Sequence, residues 1–92
     1  MRLAVTRVDS SLPLPTYATS GSVAFDVYAR VETTVAPHSI ERIPANLIVR
    51  VPEGYALFIA SRSSTPLKKG LIIPNGIGII DTDYCGPNDE IK

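Results

Sequence analysis

Residues 47–60 read LIVRVPEGYALFIA, and their pattern decides the class of fold. Apolar residues recur at every second position as Leu47, Val49 and Val51, stop at Pro52-Glu53-Gly54, and resume as Tyr55, Leu57 and Ile59. Period two on either side of a turn signal argues for short, half-buried strands. Working outward, Val23, Phe25, Val27 and Ala29 repeat the alternation upstream. Further turn signals fall at Ser20-Gly21, Pro37-His38, Lys69-Gly70, Pro74-Asn75-Gly76 and Gly86-Pro87-Asn88, at spacings that suit an all-β sandwich or barrel. Eight prolines leave no window for a helix of ordinary length, since each removes a backbone donor and clashes with the preceding turn. The expectation is one all-β domain over residues 1–92, without linker or repeat.

Composition narrows the function. Nine Lys and Arg balance nine Asp and Glu, and the basic residues are scattered, so no cationic stripe offers itself to a nucleic acid. The single cysteine, Cys85, has no Cys or His neighbour at zinc-ligand spacing and reads as a reduced thiol. The N-terminus MRLAVTRVDSS lacks the continuous apolar region of a signal peptide, and no run reaches transmembrane length. A cytoplasmic protein with neither a membrane nor a nucleic-acid partner is expected. Asp89-Glu90-Ile91-Lys92 alternates like a strand and then stops, so the chain reads as cut in mid-element.

Three stretches combine polar groups with tight backbone geometry. In Ala24–Ala29, Asp26 lies opposite the apolar face of its segment, its carboxylate free to meet solvent, a metal or a neighbour. Ser61-Arg62-Ser63-Ser64-Thr65-Pro66 sets hydroxyls and one guanidinium in a row, a set that suits phosphate oxygens but also fits a plain serine-rich loop. In Leu71–Gly86, LIIPNGIGIIDTDYCG, Gly76 and Gly78 permit close backbone approach and Asn75 can donate and accept at once. Asp81 and Asp83 are read on one strand face, where Asp81 can serve a water as base and Tyr84 can stack on a ring. Paired acids also suit a divalent cation, and a hairpin with solvated aspartates fits the same letters.

In this order and with similar gaps, AFDVYA (24–29), SRSS (61–64) and NGIGIIDTDYCG (75–86) resemble the first three of the five motifs of trimeric dUTPases. The third is the most specific, with an asparagine six residues before Asp-x-Asp-Tyr-x-Gly. The resemblance implies a dUTPase-like β-clip, a jelly-roll-like barrel, truncated here before its C-terminal strands and without motifs four and five. It also implies Mg²⁺-assisted hydrolysis of dUTP to dUMP and pyrophosphate by water attack on the α-phosphorus, in a homotrimer with shared active sites. By the same resemblance Asp81 orients the water, and Tyr84 packs on the deoxyribose. Asn75, Gly78, Ile79 and Ile80 read the uracil edge, and Arg62, Ser63 and Ser64 contact the phosphates. Asp26 lies near the magnesium through water, and Lys92 falls beside the sugar after a spacer longer than in many members. Two other readings are a dCTP deaminase-type relative, whose members lack the Asp-x-Asp-Tyr arrangement, and a non-catalytic nucleotide-binding module.

Overall fold

The alternation within residues 47–60 becomes two strands in a computed structural model that describes residues 1–92. In chain order the strands are β1 (Ala4–Arg7), β2 (Leu47–Arg50), β3 (Leu57–Ala60) and β4 (Ile77–Ile80). β1 pairs antiparallel with β2, Val5 opposite Val49, and β3 pairs antiparallel with β4, Ile59 opposite Gly78. The strands flanking Pro52-Glu53-Gly54 therefore belong to different sheets. Gly54, at φ 84°, and a Tyr55 N–H bond to the Pro52 carbonyl at 3.1 Å turn the chain from one sheet into the other.

β2 is the centre. Leu47, Ile48 and Val49 are consecutive buried residues, a pattern possible only where both faces of a strand are covered. Leu47, Val49, Val51 and Ile91 form the core, and Leu57, Ile59 and Ile80 from the second sheet pack against it with Leu3, Val5, Val27 and Ala45. One apolar cluster thus joins the two sheets. The single helical element is a five-residue π-helical turn, Thr65–Lys69, with Pro66 in its first turn. It ends at Gly70, whose left-handed φ of 63° lets its N–H reach the Pro66 carbonyl at 3.0 Å. No helix is long and apolar enough to cross a membrane.

The C-terminal residues are not an unpaired edge. The Ile91 N–H donates to the Leu47 carbonyl at 2.9 Å, and the Ile91 carbonyl accepts from Ala45 N–H at 2.8 Å. Asn46 lies between those bonds at φ 67°, a left-handed conformation that Asn tolerates better than most residues. Its N–H is thereby freed to bond a side chain.

Two local expectations fail. Residues 23–29 form no strand: none of them joins a backbone ladder, and Val23 is fully exposed. The alternation is real only at Phe25, which meets Tyr17 edge to face at 5.9 Å, and at Val27, which reaches the core. A strand needs a neighbour, and the one main-chain tie from its flanks to a distant segment is Arg30 N–H to the Pro44 carbonyl at 2.7 Å. Asp81 and Asp83 do not share a strand face either. β4 ends at Ile80, and Tyr84 N–H bonds the Asp81 carbonyl at 3.3 Å, so Asp81–Tyr84 is a turn.

Candidate active site

The hairpin of β3 and β4 sets the frame. At its entry, Gly76 N–H closes a turn onto the Ile73 carbonyl at 2.9 Å, with Gly76 at φ 82°, and leaves Asn75 exposed at the tip. Gly78 then faces Ile59 so closely that a Cβ there would lie 3.3 Å from the Ile59 Cβ. At the far end of β4 the chain turns through Asp81 to Tyr84. Four strand residues at about 3.4 Å each separate the two ends, so Asn75 and Asp81 are held apart by one rigid element.

A depression of about 210 Å³ opens at that far end, lined by Ile79, Ile80, Asp81, Tyr84, Ile91, Lys92 and Arg42. Five of these seven are residues singled out from the sequence: Ile79, Ile80, Asp81, Tyr84 and Lys92. Asn75 and Gly78 lie outside it. Arg62, Ser63 and Ser64 follow β3 elsewhere, and Arg62 Nη1 meets Asp26 Oδ2 at 3.4 Å, which joins the first stretch to the second. The Arg62 side chain remains 71% exposed in that pair, so the contact is loose and solvent-screened. Ser63 is exposed, and Ser64, at the start of the helical turn, makes no capping bond with its hydroxyl. Within one chain the residues thus form two groups, one with a carboxylate and a tyrosine, the other with a guanidinium and hydroxyls.

Arg42 and Ile91 are the two lining residues that sequence reasoning missed, and Arg42 is the charged one. It lies fifty positions from Lys92, and only the pairing of Ile91 with Ala45 and Leu47 brings the two cations to one rim. Glu90 was missed as well. It is 6% exposed, and Arg30 grips it with two bonds, Nε to Oε2 at 2.8 Å and Nη2 to Oε1 at 3.1 Å. Asn46 N–H adds a third at 2.8 Å. The Arg30 bond, aided by that N–H, holds the Glu90 carboxyl below the usual carboxylate range against the opposing effect of burial. Asn46, itself buried, accepts from Asp9 N–H through Oδ1 at 2.6 Å and donates from Nδ2 to the Asp9 carbonyl at 3.1 Å. The segment Gly86–Asp89 closes on itself, with Gly86 N–H donating to Asp89 Oδ2 at 2.8 Å and Asp89 N–H to the Gly86 carbonyl at 3.1 Å. That turn delivers Glu90 and Ile91 to the core.

Nowhere do three or more His, Cys, Asp or Glu side chains gather to hold a metal ion. Asp26, with Arg62 as its neighbour, is a single carboxylate. Such a site fits Mg²⁺ held chiefly by phosphate oxygens and water, the usual habit of that cation, and not an all-protein cage.

The geometry defines an all-β protein that sets an acid and an aromatic ring at the end of a hairpin, with phosphate-suited groups on a separate loop. The dUTPase family model matches residues 10–91. The deoxyuridine 5'-triphosphate nucleotidohydrolase of Dictyoglomus turgidum is 37% identical over 90 residues, 94% of this chain and 61% of that protein. That of Shewanella sp. strain ANA-3 is 38% identical over 90 residues, 95% of this chain and 59% of that protein. The crystal structure of a dUTPase from Streptococcus mutans superposes with a TM-score of 0.84 at 30% identity, covering 97% of this chain and 73% of that one. The chain belongs to the dUTPase family. It spans about three fifths of the length of the curated relatives it matches.

Proposed function

We propose that this chain carries the water-activating and sugar-reading part of a dUTP diphosphatase, which hydrolyses dUTP to dUMP and pyrophosphate. The observation that carries this reading is the placement of Asp81 and Tyr84 in one depression at the end of β4, in a member of this family. Asp81 orients a water and accepts its proton as the new oxygen–phosphorus bond forms at the α-phosphorus. Pyrophosphate leaves as the bond from that phosphorus to the bridging oxygen breaks. Tyr84 packs on the deoxyribose, and Lys92 lies on the same rim.

The base falls to Asn75 and the backbone of Gly78, Ile79 and Ile80. β4 pairs on one side only, so its free edge offers N–H and C=O groups to a uracil edge. A base with exchanged donors and acceptors would leave such groups unpaired, which is how a site rejects cytosine. Arg62, Ser63 and Ser64 contact the phosphates. Asp26 would hold a hydrated Mg²⁺ through water, and that ion, when bound, would neutralise charge on the phosphate oxygens.

A homotrimer with shared sites completes the reading. A depression of about 210 Å³ is smaller than the roughly 300–1,000 Å³ of usual ligand pockets, so further protein is needed to enclose a nucleotide, a part that neighbouring subunits would supply. A cytoplasmic location, where free nucleotides are met, belongs to the same reading. The test incubates the full-length protein with dUTP and dCTP separately, with and without Mg²⁺. Mg²⁺-dependent pyrophosphate from dUTP is expected. Deaminated product from dCTP, or binding of a dUTP analogue without any pyrophosphate release, would overturn the reading in favour of a deaminase or a non-catalytic module.

A further inference from the structure

Tyr84 does not stand free on its turn. Its hydroxyl donates to the backbone carbonyl of Glu90 at 3.1 Å, so the position of the ring depends on how firmly residue 90 is held. Residue 90 is held from two directions. Its side chain is fixed by the fork of Arg30 and by Asn46 N–H. Its backbone neighbour Ile91 is bonded through N–H to Leu47, the first residue of β2, and through C=O to Ala45 just before it. Glu90 and Asn46 are both buried, and none of Arg30, Asn46 or Glu90 lines the depression that holds Asp81.

We propose that Arg30, Asn46 and Glu90 form a clamp that positions Tyr84 and so sets the site's preference for deoxyribose over ribose. The proposal rests on the nucleotide reading given above. A ring that can retreat accommodates an added hydroxyl at little cost, and apolar surfaces by themselves reject such an addition weakly. A ring tied to a fixed carbonyl cannot retreat. Sugar selectivity at this site is then a property of the half-buried Arg30–Glu90 pair as well as of the ring itself.

The experiment measures dissociation constants for dUMP and UMP by calorimetry on the full-length protein and on Glu90→Gln, Arg30→Lys and Tyr84→Phe, each with its melting temperature. Glu90→Gln keeps the backbone acceptor but loses the charged grip, whereas Tyr84→Phe keeps the ring and removes the tether. In both, the ratio of UMP to dUMP dissociation constants is expected to fall roughly three- to tenfold, the worth of one hydrogen bond. Arg30→Lys, which keeps the charge but not the fork, should fall between them and the unsubstituted protein. A purely structural role would lower the folded fraction and weaken both nucleotides alike, leaving the ratio unchanged.

An unchanged ratio in folded Glu90→Gln overturns the proposal. Should that variant fail to fold, an unchanged ratio in Tyr84→Phe does so alone. If the unsubstituted protein shows no preference for dUMP, the nucleotide reading falls and takes the clamp with it, a result distinct from loss of the clamp alone.

Discussion

Asp81 and Asp83 lie two residues apart in one turn, and neither enters an ion pair, since the chain's two ion pairs are Arg30–Glu90 and Arg62–Asp26. Only Asp81 lines the depression. Replacing Asp83 by Asn should therefore leave turnover within about twofold, the range of surface substitutions away from special features. A loss as large as that of Asp81→Asn in the same steady-state assay would show the two acids acting together. At Gly78 two effects compete. Alanine would gain roughly 0.5–1 kcal/mol by restricting the unfolded chain, but a Cβ 3.3 Å from the Ile59 Cβ overcrowds this cross-strand pair within the second sheet, which costs about 1–3 kcal/mol. Overpacking wins, so Gly78→Ala should lower the midpoint of urea unfolding; a raised midpoint would show that Ile59 yields freely. At this scale the sequence singles out Ile79, Ile80, Asp81 and Tyr84, neighbours in the chain that the structure brings to one depression. It was silent on Arg42, Arg30 and Glu90, whose significance comes from partners 44 to 60 residues away.

At the scale of elements, alternation told the truth where a partner strand existed. Leu47–Arg50 and Leu57–Ala60 were legible because each carries its own period and lies against a paired neighbour. Residues 23–29 carry the same period but pair with nothing, and periodicity reports burial preference, not hydrogen bonding. The element that ties the fold to the site is the C-terminal segment on β2, and its hold is pH-dependent. Glu90 has a carboxyl depressed first by the Arg30 bond, so its contribution is present above the ordinary glutamate range and lost as pH falls through the lower, folded value. Asp9, lowered first by the Ser11 hydroxyl bond, acts in the same direction. The melting temperature should thus fall on acidification below about pH 4.5. Glu90→Gln should flatten that limb and lower stability at neutral pH by about 1–3 kcal/mol, a figure discounted because Arg30 is partly exposed. An acid limb unchanged in the variant would remove Glu90 from the balance.

For the whole molecule, surface is the telling quantity. The chain exposes 7334 Å², whereas a folded monomer of 9.9 kDa should expose about 5,200 Å². Val23, Leu67, Ile40, Ile72, Phe58 and Ile79 are all well exposed, and Phe58 and Ile79 are cross-strand partners on the outer face of the second sheet. An excess of that size, with apolar residues in it, calls for further protein to cover it. The homotrimer proposed above is one such cover: on that proposal, sedimentation velocity on the full-length protein should give a trimer at micromolar concentration, and a monomer throughout would contradict shared sites. The central claim concerns Asp81 and the water it directs to the α-phosphorus. Its most direct test is hydrolysis of dUTP in ¹⁸O-labelled water with the products resolved by mass spectrometry, alongside Asp81→Asn. The expected result is one ¹⁸O in dUMP, none in pyrophosphate, and no product from the variant; label in pyrophosphate, or undiminished turnover by Asp81→Asn, would contradict it.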